Sequence, residues 1–181
     1  TPMDRRRDAL VAASYLATAV HELGWRHVPV GKATTTRMEL WPNLPGLLTR
    51  SATVTLDVRH ADEPTALAMF EAARRAAHAA GARAACEVEE LETWRFGDER
   101  FDPELIALVE ERAAARGVAA RAMASQAGHD AYHLARVAPT VMLFCPCRDG
   151  ITHNEAEHCD PADVMPAAQV LADAVLARAQ R

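Results

Sequence analysis

Residues 52–59 alternate strictly between apolar and polar side chains. The apolar set is Ala52, Val54, Leu56 and Val58, and the polar set is Thr53, Thr55, Asp57 and Arg59. A period of two residues is typical of a β-strand that buries one face. Such a strand needs another layer against its buried face, so the chain is restricted to a layered fold. Arg59 then points away from the core.

Helical patterns lie on both sides of this strand. Apolar residues recur every three or four positions until Gly24, at Leu10, Ala13, Leu16 or Ala17, Val20 and Leu23. The same spacing runs up to Gly81, at Leu67, Phe70, Ala73 and Ala77. Both patterns predict amphipathic helices. Cys86 and Val88 alternate with glutamates and predict a further strand. This order predicts an α+β domain, an antiparallel sheet with two helices on one face.

Residues 94–102 show neither the helix period nor the strand period, so this segment predicts a connection between domains. We place the boundary so that the first domain is 1–97 and the second is 98–181. In the second domain, Asp102 and Pro103 are typical of a helix start, and Gly117 is typical of its end. Its inward residues are predicted to be Leu105, Ile106 and Val109.

Residues 141–145 are apolar at every position, which predicts a strand covered on both faces, as in a helix-flanked α/β sheet. A last helix is predicted from about Asp160, and Pro166 predicts that its first turn is irregular. Its inward residues are predicted to be Val164, Ala168, Leu171 and Val175. The second domain is therefore expected to be of the α/β class.

Composition excludes several classes of partner. The net charge is -5, from 20 basic and 25 acidic residues that are interspersed, so neither nucleic acid nor an anionic membrane is expected. No apolar run approaches the roughly 18 residues of a membrane helix, and the arginine-rich start does not resemble a secretory signal. We therefore expect a cytoplasmic protein. The four cysteines form no dense framework, which favours reduced structural thiols.

His153 is the candidate metal ligand. It follows the apolar run 141–145 in a polar loop, and open α/β sheets place ligand sites at the carboxyl ends of their strands. Imidazole is a common zinc ligand, but a catalytic zinc takes three protein ligands. His129 and His133 are an alternative pair, four residues apart. A two-histidine zinc helix has a glutamate directly after its first histidine, whereas this chain has Asp130 there. We therefore favour a position on a helix surface for His133 over a metal-binding role.

Three other features could carry chemistry. Arg59 could bind a carboxylate through two hydrogen bonds, or it could be a solvated charge. Cys145 and Cys147 are separated by a single proline, which is a poor zinc spacing, so we favour structural cysteines. Thr1 could act as an N-terminal nucleophile with its own amine as base. Pro2 and the absence of a recognisable oxyanion-hole loop argue against that role.

Four segments, in order, resemble motifs of one family. They are Thr1-Pro-Met-Asp-Arg-Arg-Arg-Asp-Ala9, Thr55-Leu-Asp-Val-Arg-His60, Ser125-Gln-Ala-Gly-His-Asp-Ala131 and Gly150-Ile-Thr-His-Asn-Glu-Ala-Glu157. They resemble the zinc-dependent amidohydrolases that include N-carbamoyl-L-amino-acid hydrolases, allantoate amidohydrolases and β-ureidopropionases. These enzymes are related to aminoacylases and dinuclear-zinc carboxypeptidases. The resemblance spans almost the whole chain.

This resemblance implies a lid and dimerisation domain in 1–97 and the C-terminal part of a catalytic metallohydrolase domain in 98–181. It implies two divalent metal ions, zinc or alternatively manganese or cobalt, with His153 as one terminal ligand. Arg59 would bind the substrate carboxylate in the neighbouring subunit's site, and Gly128 and His129 would line the substrate pocket. The other ligands and the general base would precede Thr1, on the same protein or on a separate chain, so no catalytic base is assigned here.

The sequence departs from the family pattern at two positions. Gly46 stands where the family has an asparagine, thirteen residues before the arginine, and Asn43 is the candidate to replace that side-chain amide. Gln126 replaces a glycine beside the pocket. The expected function is hydrolysis of a linear amide such as an N-carbamoyl or N-acyl amino acid. The alternatives are a non-catalytic dimerising module and a hydrolase that uses Thr1 as its nucleophile.

Overall fold

The one-sided strand is present as β2, Ser51–Arg59. A computed structural model describes residues 1–95, 99–125 and 127–180. β2 pairs antiparallel with β1, Lys32–Trp41, and Lys32 lies opposite Arg59. These two strands form the whole sheet in the described part of the chain.

A bulge in β1 keeps one face of the hairpin apolar. The register shifts between Thr35 and Arg37, so that Thr35 faces Leu56 while Met38 faces Val54. One extra residue moves the following side chains back to the buried face, since strand side chains alternate with a period of two. The bulge explains why β1 does not show the strict alternation of β2 in its sequence.

Two helices cover the apolar face of this hairpin. α1 is Ala9–Trp25 and α2 is Glu63–Arg83, and each begins at an aspartate whose carboxylate accepts backbone N–H bonds in the first turn. The core consists of Leu23, Met69 and Ala73, against which four half-buried residues pack: Ala33, Leu56, Val58 and Ala72. The prediction of an antiparallel sheet with two helices on one face is therefore confirmed.

Two details of this first half differ from the sequence prediction. The strand predicted at Cys86 and Val88 is wrong, because this segment pairs with no described strand and instead packs back on the end of α2. A Cβ placed on Gly81 would lie 2.4 Å from Val88 Cγ2, which shows how closely the segment passes. The alternation of Cys86 and Val88 with glutamates therefore reflects a segment with one face half-buried, and this segment does not pair with another strand. The inward face of α2 also differs, because Met69 is fully buried while Leu67 is 42% exposed.

Internal contacts divide the chain into two compact units, Thr1–Trp94 and Arg95–Arg181. The boundary placed between residues 97 and 98 lies outside the described residues. The first unit contains the hairpin with α1 and α2. In its described residues, the second contains three α-helices: α3, Pro103–Ala115; α4, Asp130–Ala135; and α5, Pro161–Ala179. No described helix is both long enough and apolar enough to cross a membrane.

Helix α3 starts and ends where the sequence predicts. Asp102 accepts the N–H of Leu105, Pro103 is the first helical residue, and Gly117 follows the helix with a φ of +67°. α3 packs against α5, and Arg116 at its end forms a two-pronged ion pair with Asp173 of α5, with Nε to Oδ2 at 2.5 Å and Nη2 to Oδ1 at 2.9 Å. This pair lowers the pKa of Asp173 and raises that of Arg116.

Two predictions for the second unit are wrong. Residues 141–145 form no strand, because no described segment supplies backbone hydrogen-bond partners for them. In α5 the buried residues are Val170 and Ala174, whereas Leu171 and Val175 are about half exposed. Val164 and Ala168 are also exposed. α5 is apolar on several sides, so its sequence period could not select the side that packs on α3. Pro166 lies inside α5, which continues through it.

Candidate functional site

Arg59 is the last residue of β2 and lies on the polar face of the hairpin, as its alternation predicts. Its guanidinium is paired with Asp57, two residues earlier on the same face, with Nε donating to Oδ1 at 2.7 Å. This hydrogen bond holds the pKa of Asp57 below its ordinary value of 3.8. The ion pair therefore persists above that value and is lost only as the pH falls through the lowered pKa. Asp57 thus orients Arg59 across the neutral range.

Asn43 lies in the connection between β1 and β2, where its side chain is exposed. This connection follows the Trp41–Ser51 pair, whereas Arg59 is at the Lys32 end of the hairpin. Eight residue steps at roughly 3.3 Å separate the ends of β2 by about 26 Å. The structure therefore places Asn43 and Arg59, two of the four predicted substrate-binding residues, at opposite ends of the hairpin. Gly46, in the same connection, has a φ of +80°.

Gly128 and His129 come immediately before α4. The Nδ1 atom of His129 accepts the N–H of Ala131 at 3.0 Å, so His129 is the N-cap of this helix. The neutral ring then carries its proton on Nε2, which can donate to a ligand. A Cβ on Gly128 would meet nothing within 4 Å, so this position lies against open space.

Tyr132 anchors the segment that carries Gly128. Its side chain is buried and stacks on Phe101, with ring centroids 5.6 Å apart. Its hydroxyl donates to the carbonyl of Ser125 at 3.1 Å. The predicted departure at Gln126, in the same segment, lies outside the described residues.

His153 lies in a short loop with an unusual backbone. Its φ is +56°, a left-handed value that costs a residue other than glycine free energy unless its surroundings stabilise it. The carboxylate of Glu157 accepts the His153 N–H at 2.8 Å, which stabilises this conformation. The imidazole is exposed, and it forms no hydrogen bond or ion pair with any residue of 1–95, 99–125 or 127–180.

Metal binding would require ligands from beyond these segments. The described residues hold no group of three or more His, Cys, Asp or Glu side chains that could bind a metal ion. His129 and His133 are not a metal-binding pair on one helical face, since His129 precedes the helix and caps it. An exposed imidazole with a free ring nitrogen can serve as one ligand of a metal ion. His153, the predicted ligand, meets this description, and so does His133, which is also exposed and forms no hydrogen bond or ion pair within the described residues.

Two surface concavities in the first unit are lined by none of the residues predicted to bind substrate or metal. One is lined by residues from α1 and the start of β1, including His21, Trp25 and Lys32. The other is lined by Thr1, Arg6 and the β1–β2 connection. Thr1 lies there beside Arg6, whose Nε donates to its carbonyl at 2.8 Å. Both concavities are open depressions rather than closed pockets.

Sequence reasoning missed three residues that position the candidate site. Asp57 could have been found from the strand period, because it shares a face with Arg59. Glu157 and Tyr132 carried no such signal, since their roles depend on a turn and on a hydrogen bond to a main-chain carbonyl.

Comparisons with known proteins assign the chain to a family. Residues 8–177 match the profile of peptidase family M20/M25/M40. An N-carbamoyl-L-amino-acid amidohydrolase of Rhizobium meliloti is 32% identical over 186 residues, covering 99% of this chain and 43% of that protein. An allantoate amidohydrolase of Escherichia coli is 31% identical over 179 residues, covering 95% and 42%.

A solved structure agrees with this assignment. An amidase of the hydantoinase/carbamoylase family from Burkholderia vietnamiensis superposes with a TM-score of 0.95 at 38% identity, covering 98% of this chain and 43% of that one. The chain belongs to the M20 peptidase family, and the family resemblance predicted from its motifs is confirmed. It spans a little over two fifths of the length of these relatives.

Proposed function

We propose that this chain is the lid and C-terminal catalytic segment of a metal-dependent amidohydrolase that cleaves linear amides of N-carbamoyl or N-acyl amino acids. The observation that carries the proposal is His153, which is held at a left-handed φ by Glu157 and has an imidazole without a partner in the described chain. The names of the relatives from Rhizobium meliloti and Escherichia coli supply the substrate class.

His153 is proposed as a terminal ligand of one metal ion. When bound, two divalent ions would polarise the amide carbonyl and activate a water. We propose zinc, with manganese and cobalt as alternatives, because imidazole and carboxylate ligands suit all three. The other ligands and the general base are assigned to polypeptide outside these 181 residues, on the same protein or on a partner chain.

Arg59, Gly128 and His129 are proposed to bind the substrate. Arg59 would exchange its bond to Asp57 for the substrate carboxylate, which a guanidinium binds through two hydrogen bonds. Nε2–H of His129 would donate to substrate, and Gly128 leaves space beside it. Asn43 is not assigned to the same substrate as Arg59, because it lies at the other end of the hairpin.

The hairpin unit is proposed as the lid, and a homodimer through it would bring Arg59 to the site of the neighbouring subunit. The proposed domains are 1–97 and 98–181. Gly46 replaces an asparagine that contacts substrate in the resemblance, and Gln126 replaces a glycine beside the pocket, so the acyl group is not restricted to carbamoyl.

Metal dependence separates this function from its two alternatives. In the native preparation, a chelator should abolish hydrolysis of N-carbamoyl and N-acetyl amino acids, and zinc or manganese should restore it, while Thr1→Ala keeps full activity. A Thr1 nucleophile would give the opposite pattern, with activity that resists the chelator and is lost in Thr1→Ala. A non-catalytic module would show no hydrolysis and no metal-dependent rise in melting temperature, whereas saturating metal should stabilise an enzyme measurably.

Replacing Arg59 should weaken substrate binding selectively. A charge-assisted hydrogen bond contributes about 1.5–3 kcal/mol, so Arg59→Ala should lower kcat/KM by roughly 10- to 150-fold. Arg59→Lys should recover only part of this loss, because an ammonium cannot form the two-pronged bond. Steady-state kinetics with carboxylate substrates and their neutral amide analogues measure the effect, which should vanish for the analogues.

Arg37→Ala is the matched control, since Arg37 is also an exposed arginine of the hairpin paired with a carboxylate two residues away. Equal losses in the two variants would contradict a substrate role for Arg59.

A further inference from the structure

Three thiols converge at the base of the loop that carries His153. The Sγ atom of Cys159 lies 3.5 Å from that of Cys147 and 4.0 Å from that of Cys145. All three cysteines are half-buried and unbridged. They form no metal-binding group with other described residues. Their closeness therefore points to chemistry between the sulfurs themselves.

A backbone hydrogen bond joins the two segments that carry Cys147 and Cys159. The N–H of Arg148, the residue after Cys147, donates to the carbonyl of His158, the residue before Cys159, at 2.8 Å. This bond and the sulfur distance of 3.5 Å bring the two cysteines close together, as a disulfide requires.

Cys145 is less suited to bond with Cys159. Its sulfur lies 4.0 Å from that of Cys159, compared with 3.5 Å for Cys147. Cys145 is also two residues further than Cys147 from the backbone hydrogen bond between Arg148 and His158. The geometry thus distinguishes one partner from the other.

We propose that Cys147 and Cys159 are an oxidation site, which forms a reversible disulfide that closes the loop from residue 148 to residue 158. The oxidant is a peroxide. One thiolate attacks hydrogen peroxide, forming an S–O bond as the O–O bond breaks. The second thiolate then displaces hydroxide from that sulfenic acid, forming the S–S bond. Two thiols and one peroxide give one disulfide and two waters, and the peroxide takes up the two electrons.

The bond would add to contacts that already close this loop. Arg148 is ion-paired with Asp160 at 2.9 Å, across the same base. Inside the loop, Glu157 holds the backbone of His153. The hydrogen bond with Cys147 raises the pKa of the Cys159 thiol, which keeps its reactive thiolate fraction low at neutral pH. A disulfide here would confine the segment that presents the imidazole.

Peptide mapping tests the proposal on the native preparation. After treatment with dilute hydrogen peroxide and alkylation of the remaining thiols, digestion and mass spectrometry should yield a peptide pair joined through Cys147 and Cys159. Dithiothreitol should release the pair. The joined pair should be absent in Cys147→Ser and in Cys159→Ser, and should persist in Cys145→Ser.

Cys86→Ser is the matched control, because Cys86 is a half-buried thiol of the other unit. It should leave the joined pair unchanged. Thermal unfolding shows whether each serine variant folds. If a variant does not fold, the peptide map of the wild-type protein still tests whether Cys147 and Cys159 become joined. The proposal is overturned if wild-type protein ends with all four thiols alkylated, with sulfinic acids but no joined pair, or with Cys145 as the main partner of Cys159.

Discussion

His153→Ala is expected to lower the bound metal and to reduce kcat/KM for amide hydrolysis by about 100-fold or more. Changes to groups that only orient a metal ligand already cost about 10- to 100-fold, and loss of the ligand itself should cost at least as much. Metal analysis of the purified variant and steady-state kinetics measure the two effects. Both should appear without loss of the folded state, because the His153 side chain is exposed.

Two variants in the same loop sharpen this test. His158→Ala removes a second exposed imidazole, one that contacts Asp160 at 3.2 Å, and should leave metal content unchanged. Glu157→Gln keeps an oxygen that can accept the His153 N–H, so it should cost less activity than Glu157→Ala. Full metal content and full hydrolysis in His153→Ala would remove the basis of the proposed function.

The hairpin unit could largely be predicted from the sequence because local signals decide it. The alternation of residues 52–59, the helix spacing and the aspartate caps each act within a few residues, and all are present in the structure. Helix α3 was predicted for the same reason, from its N-cap and its terminal glycine. Register and bulges depend on the partner strand, so the shift after Thr35 left no recognisable signal.

The failed strand predictions share one physical cause. A strand exists only where another segment supplies hydrogen-bond partners. The patterns of Cys86 and Val88 and of residues 141–145 reflect where apolar side chains occur, not backbone pairing. Sequence reasoning could propose candidate site residues where a motif pointed to them, as with Arg59 and His153. Asp57 and Glu157, the groups that orient them, were not recognised from residue type alone, although the strand period placed Asp57 on the same face as Arg59.

Met69→Ala should be the most destabilising core substitution of the hairpin unit. Met69 is fully buried between α1, α2 and the sheet, and truncation of such a residue costs about 2–5 kcal/mol of unfolding free energy through lost burial and the cavity left behind. For a unit of this size the melting temperature should fall by roughly 8 °C or more. Denaturant and thermal unfolding followed by circular dichroism measure both quantities.

Leu67→Ala decides between the two assignments of the inward face of α2. The sequence spacing places Leu67 in the core, whereas the structure leaves it 42% exposed and buries Met69. Leu67→Ala should therefore change the unfolding free energy by no more than about 0.5 kcal/mol, as substitutions at the surface do. A larger cost for Leu67→Ala than for Met69→Ala would mean that α2 is rotated about its axis. The apolar contacts of Met69 with Leu23 would then no longer describe the core.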